Sequence, residues 1–218
     1  MTRSKTEVRH PIFARTYARI GAAAEEKGAA EHRRELLAGL SGRIIEVGAG
    51  TGLNFPHYPE SVQEVVAVEP EPLLRKLATD AAAGAAIAVQ VIDGVADALP
   101  VEDGSFDAGV ASLVLCSVPD QADALGELFR VIRSGGELRF YEHVRADTPG
   151  FARFQHGIDI VWPLFGGGCH ASRDTLGAIE RAGFVVESSR GFRFVPCAVA
   201  KPVSPHVLGT ARRPDTSS

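Results

Sequence analysis

The chain has 218 residues, 45% hydrophobic and 23% charged, which is enough apolar side chain for one modestly decorated domain and unlike disordered or collagen-like composition. Its 23 basic and 27 acidic residues give a formal net charge of −4, and with no long basic run this argues against a dedicated nucleic-acid binder. Cys116, Cys169 and Cys197 are far apart with no CxxC pair, so neither a disulfide framework nor a thiolate zinc site is expected and a reducing cytoplasm fits.

No apolar h-region follows the first residues, and no stretch approaches about 18 apolar residues, so neither a signal peptide nor a membrane span is expected. Residues 1–40 read as a helical cap: Phe13, Tyr17 and Ile20 share one face, and Leu36, Leu37 and Leu40 end a second apolar stripe before Ser41-Gly42. A β-like run, Arg43–Val47, stops at a glycine cluster. Further apolar runs at Val65–Val68, Ile87–Ile92, Phe106–Leu115 and Gly136–Tyr141 alternate with helical segments at 72–83 and 120–134. Asp120 is a natural N-cap for the latter, whose Leu125, Leu128, Phe129 and Ile132 repeat at helical spacing. Alternating strands and helices predict a doubly wound parallel sheet over about residues 41–145.

Beyond residue 147 the segment Phe151–Cys169 is rich in aromatics and glycines and reads as an insertion across the core. Ser172 is the expected cap of a helix carrying Leu176 and Ile179. Phe184–Val195 and His206–Arg212 read as an antiparallel edge hairpin, and the polar tail from Arg213 as disordered.

Glu46-Val47-Gly48-Ala49-Gly50-Thr51-Gly52 directly follows the first strand, where doubly wound folds bind their ligands. A dinucleotide GxGxxG needs glycine at position 53, which is Leu53. The ExGxGxG pattern instead resembles motif I of class I S-adenosylmethionine-dependent methyltransferases. Glu69, about twenty residues further at the end of the second strand, suits the cofactor's ribose hydroxyls; a solvated strand-end glutamate is the other reading. Asp93–Pro100 is similar to the adenine-facing segment, with Val95 where many relatives carry Asp, so Asp97 or the backbone at Ala96 would make that contact. Arg130–Gly136 resembles the RVLRPGG segment, with Ser134 for its proline.

The resemblance implies a seven-stranded Rossmann-like α/β sheet with an antiparallel last strand. The methyltransferase domain would span 41–212, with a lid at 147–171 and a tail at 213–218. It implies S-adenosylmethionine as cofactor, held by Tyr17, Glu46, Gly48, Ala49, Gly50, Asn54, Glu69, Pro70, Ala96, Asp97, Ser112, Leu113 and Cys116. Leu113–Val118, Tyr141–Val144, Gly168–His170 with Arg173, and Pro205–Gly209 are similar to the type 11 group that includes membrane-anchored alkyl-thiol methyltransferases, and no apolar anchor like theirs is expected here.

A small, fairly apolar thiol is therefore the expected acceptor, with phenols or quinols next. A nicotinamide oxidoreductase and a non-catalytic cofactor-binding protein are the rivals. His143, at the end of the fifth strand, is the best general-base candidate; a histidine satisfying a strand-end backbone group is the other reading. Glu142 is expected to face away from it. Asp159, Trp162, Phe165, His170 and His206 are expected around the substrate, or beneath the insertion as a satellite core. No HxxxH or HExxH spacing suggests a metal, so none is expected. Cys116 reads as small buried packing. The region after strand four, Cys116-Ser117-Val118-Pro119, lacks the (Asn/Asp/Ser)-Pro-Pro-aromatic motif of base methyltransferases.

Overall fold

The computed structural model describes residues 11–215. Helices α1 (Pro11–Ala24) and α2 (Ala30–Leu37) lead into strand β1 (Gly42–Val47). The helical cap is divided where the sequence suggested continuity: Gly28, at φ 111°, leaves helical geometry within a short π-type turn, Glu25–Ala29. The side chains of Phe13 and Tyr17 lie outside the described residues.

Next come β2 (Val62–Val68), α3 (Pro72–Ala82), β3 (Ala88–Ile92), β4 (Phe106–Ser112), α4 (Gln121–Val131) and β5 (Ile132–His143). The chain closes with α5 (Pro149–Ile158), α6 (Trp162–Phe165), α7 (Thr175–Arg181), β6 (Val185–Arg193) and β7 (Pro205–Arg212). Strand order is β3-β2-β1-β4-β5-β7-β6. The first five strands run parallel, and β7 runs antiparallel to both neighbours. The order reverses between β1 and β4, so the C-terminal ends of those strands open the crevice where such sheets place ligands.

Alternation along the strands supplies two cores. Ile45, Val47, Val66 and Val68 pack with Leu125 and Leu128 of α4 on one face. Ile44, Val65 and Val110 pack with Leu36 and Leu37 of α2 on the other. Each such leucine, fully buried, contributes roughly 1.5–3 kcal/mol. Asp120 caps α4 through the N–H groups of Ala122 and Asp123.

Two further local expectations are corrected. Asp174, not Ser172, caps α7, accepting from Gly177 N–H. Ser172 is occupied instead with Asp159. Arg213 is also no loose tail residue: its guanidinium donates to the carbonyls of Phe129 and Ile132, both at 2.6 Å. Among the described residues no helix is long and apolar enough to cross a membrane.

Candidate active site

The loop after β1 turns through Gly48, Gly50 and Gly52, all at positive φ. At Gly48 a Cβ would stand 2.4 Å from Val114 Cγ2, so the close approach of this loop to the end of β4 requires glycine. Behind the loop, buried Glu46 accepts from Asn54 Nδ2 at 2.8 Å and the Tyr58 hydroxyl at 2.7 Å. Burial nevertheless pushes its pKa up to about 7. Asn54 Oδ1 in turn accepts from Arg33 at 2.7 Å, and the same guanidinium reaches Ser112 Oγ at 3.1 Å and Glu25 at 2.9 Å. Arg33 thus ties α2 to the loop and to β4. Its pattern in sequence was that of any helix-surface arginine.

Glu69 directly follows β2 and accepts the N–H groups of Gly50 at 2.8 Å and Glu71 at 2.9 Å. Burial raises its pKa to about 7. A carboxylate offers about four acceptor positions and these bonds use two, leaving capacity for a vicinal diol. The loop's glycines and this incompletely satisfied carboxylate fit an adenosyl cofactor. Asp97 and Ala96 are half-buried in a turn closed by the Val95–Ala98 bridge.

A second cluster lies where β4 and β5 end. His143 Nδ1 stands 3.5 Å from Cys116 Sγ and 3.4 Å from Cys169 Sγ. Cys116 and Cys169 are buried free thiols. Glu142, the neighbour of His143 along β5, is fully buried. Its carboxylate accepts the N–H groups of Val114 at 3.0 Å, Leu115 at 2.9 Å and Cys116 at 3.1 Å. That clasp holds the turn that Leu113 enters in left-handed backbone, φ 58°. Hydrogen bonding from Cys116, and then His143 beside it, hold the Cys169 thiol well below its ordinary pKa. Burial opposes charge on His143, but Cys169 and Glu142 outweigh it and raise its pKa.

The segment after α6 delivers Cys169 through specific contacts. His170 N–H donates to Cys116 O at 2.8 Å. Arg173 donates to Leu115 O at 2.5 Å and Val118 O at 2.6 Å. Asp159 is engaged with Ala171 N–H, Ser172 N–H and the Ser172 hydroxyl, so its carboxylate fixes the loop between α6 and α7. Trp162 packs against the cysteine cluster, whereas Phe165 is 79% exposed and does not wall it; α6 is a single turn, too short to bury both aromatics. His206 lies with its ring centroid 4.6 Å from that of His143 and Nδ1 2.8 Å from Ser204 O; burial drops its pKa to about 3. A groove of about 440 Å³ lined by Gly42, Asp107 and Gly136 lies at the opposite ends of the strands and carries none of these groups.

Comparison with known proteins points to one family. A methyltransferase-domain family model matches residues 45–140. Human thiol S-methyltransferase TMT1A is 35% identical over 84% of this chain and 78% of its own. Mouse thiol S-methyltransferase TMT1B is 36% identical over 80% and 73%. Among solved structures, the geranyl diphosphate C-methyltransferase of Streptomyces coelicolor A3(2) superposes with a TM-score of 0.66 at 16% identity, covering 86% of this chain and 79% of that one. The [4+2]-cyclase SpnF gives 0.67 at 21%, covering 84% and 80%. These last two likenesses speak to the fold alone.

Proposed function

Because the chain belongs to the S-adenosylmethionine-dependent methyltransferases of the methyltransferase-domain family, we propose that it methylates the sulfur of a small, fairly apolar thiol. The observation that carries this reading is the meeting of Cys116, His143 and Cys169 at the C-terminal ends of β4 and β5, beside the glycine loop. The named human and mouse relatives are thiol S-methyltransferases, which supports the same acceptor class.

Bound S-adenosylmethionine supplies an activated methyl group on a sulfonium, whose leaving group is already good. The chain's own contribution is alignment, exclusion of water and handling of one proton. In this reading Glu69 takes the ribose hydroxyls, and Gly48, Ala49 and Gly50 let the backbone approach. Glu46, Asn54 and Ser112, braced by Arg33, shape the loop's floor. Pro70, Ala96, Asp97 and Leu113 border the adenosyl group.

A free thiol with an unperturbed pKa near ~8.5 needs only modest help to ionise. In this reading the His143–Cys169 pair is the group that takes that proton. Trp162, Ile158 and Val203 line the apolar side of the cysteine cluster and would receive the acceptor's carbon skeleton. Incubation with methyl-labelled S-adenosylmethionine and small thiols, phenols and amines tests the reading. Labelled thioether is the expected product, and His143→Ala should lower its formation by about 10²-fold or more with S-adenosylhomocysteine affinity retained.

A further inference from the structure

We propose that Cys116 Sγ, His143 Nδ1 and Cys169 Sγ form a three-ligand site for a divalent ion of the zinc class, with a fourth position open to the acceptor sulfur. The proposal rests on the thiol reading for the role of that fourth position, but not for the site itself. It departs from the expectation of no metal that the cysteine and histidine spacing gave.

The geometry is that of a tetrahedral centre. Zn–S bonds of about 2.3 Å and Zn–N bonds of about 2.0–2.1 Å at tetrahedral angles place sulfur and nitrogen about 3.5–3.6 Å apart. The separations here are 3.5 Å and 3.4 Å, and all three donor atoms lie within 4.8 Å of one another. A Cys116–Cys169 hydrogen bond accounts for part of this arrangement, but not for the placement of His143 Nδ1 against both sulfurs. A ring nitrogen carries one hydrogen or one lone pair, so Nδ1 cannot fully satisfy two sulfurs at equal range.

A second observation points the same way. Trp162 Nε1 is buried with no acceptor at ordinary hydrogen-bond geometry among the described residues, and the group it leans on is Cys169 of the cysteine cluster. A metal-bound thiolate beside it would give the indole N–H an anionic acceptor.

The donors are also held as metal ligands usually are. Glu142 fixes the backbone of Cys116, and His170 N–H ties the Cys169 loop to Cys116 O. Gly168 sits at φ 86°, where a Cβ would be 2.7 Å from Ser117 O, so glycine is what lets the two cysteine loops meet. Two sulfurs and one imidazole favour zinc over magnesium or calcium, and three protein ligands with an open position is the pattern of catalytic rather than structural zinc.

Binding of the ion releases the two cysteine protons, and two thiolates balance its charge. The acceptor thiol then enters as fourth ligand and gives its S–H proton to solvent. A lone pair on that sulfur forms the new bond to the methyl carbon, while the pair of the broken C–S bond stays on the sulfur of S-adenosylhomocysteine. The neutral thioether is the poorer ligand and leaves. In this form His143 serves as a ligand, and acidification of the thiol passes from the imidazole to the metal.

Titration of the chelator-stripped full chain with Co²⁺, followed by Zn²⁺ competition, tests the site. Expected are one equivalent per chain, a thiolate-to-cobalt charge-transfer band and the intense d–d absorption of four-coordinate cobalt. The band should vanish in Cys169→Ser and His143→Gln with S-adenosylhomocysteine affinity unchanged, and persist in Cys197→Ser. Absence of the band in protein that binds S-adenosylhomocysteine normally overturns the site. Thiol methylation on the same samples separates the two readings. A loss of roughly tenfold or more on stripping, restored by Zn²⁺, supports the proposal; full activity without metal overturns it and leaves the thiol acceptor standing.

Discussion

Glu142 and Cys116 are joined through the backbone: Glu142 Oε2 accepts Cys116 N–H at 3.1 Å, while the next residue, His143, stands 3.5 Å from Cys116 Sγ. One strand end therefore both fixes the β4 turn and faces its thiol. In Glu142→Gln one of the two carboxylate oxygens becomes an amide donor facing N–H groups. A cost of about 1–3 kcal/mol is expected, with Tm lowered by roughly 2–4 °C per kcal/mol in a chain of this size. Turnover should fall more than KM rises, because the displaced turn carries the cysteine. Thermal melts and steady-state kinetics check both.

Glu46 and Glu69 both have pKa values raised by burial to about 7, against about 4.3 for an unperturbed glutamate. The cofactor-free folded state thus binds more protons than the unfolded state between those values. Its stability should fall as pH rises from about 5 through 7 and level off above. Ionised Glu69 is the better hydroxyl acceptor, so S-adenosylhomocysteine should bind more tightly at pH 8 than at pH 6, with proton release. Glu69→Gln should flatten that pH dependence and weaken binding by about tenfold or more. Calorimetry in buffers of differing ionisation enthalpy reads both effects.

Arg33, 6% exposed, holds Glu25, Asn54 and Ser112 together. Arg33→Met keeps much of the bulk but leaves Asn54 Oδ1 without its donor. Stability should drop by about 3 kcal/mol, toward the range for breaking a buried pair, and S-adenosylhomocysteine affinity should drop with it. Denaturant unfolding and a binding titration are the measurements.

The sheet, the glycine loop and Glu69 were legible because their signals are local: apolar runs, a glycine cluster, an acid at a strand end. The Asp120 cap was legible for the same reason. Arg33, Glu142 and Cys169 were not. Arg33 meets Ser112 across 79 positions, and Cys169 meets His143 across 26. No periodicity encodes either meeting. Cysteine spacing gave no sign that Cys116 and Cys169 meet, since CxxC logic reads only neighbours, whereas the fold brings the ends of β4 and β5 and the loop after α6 to one point. Asp174, not Ser172, is the cap because Ser172 is engaged by Asp159. Phe165 read as pocket lining from its aromatic neighbours, yet one short turn turned it to solvent while Trp162 went in.

The most direct test is competition among acceptors for labelled methyl. Purified protein with methyl-labelled S-adenosylmethionine should label small apolar thiols selectively over matched phenols and amines, with stoichiometric S-adenosylhomocysteine. Label in phenols or amines with none in thiols, from protein that binds S-adenosylhomocysteine, would contradict a thiol acceptor and, with it, the catalytic role of the Cys116, His143 and Cys169 cluster.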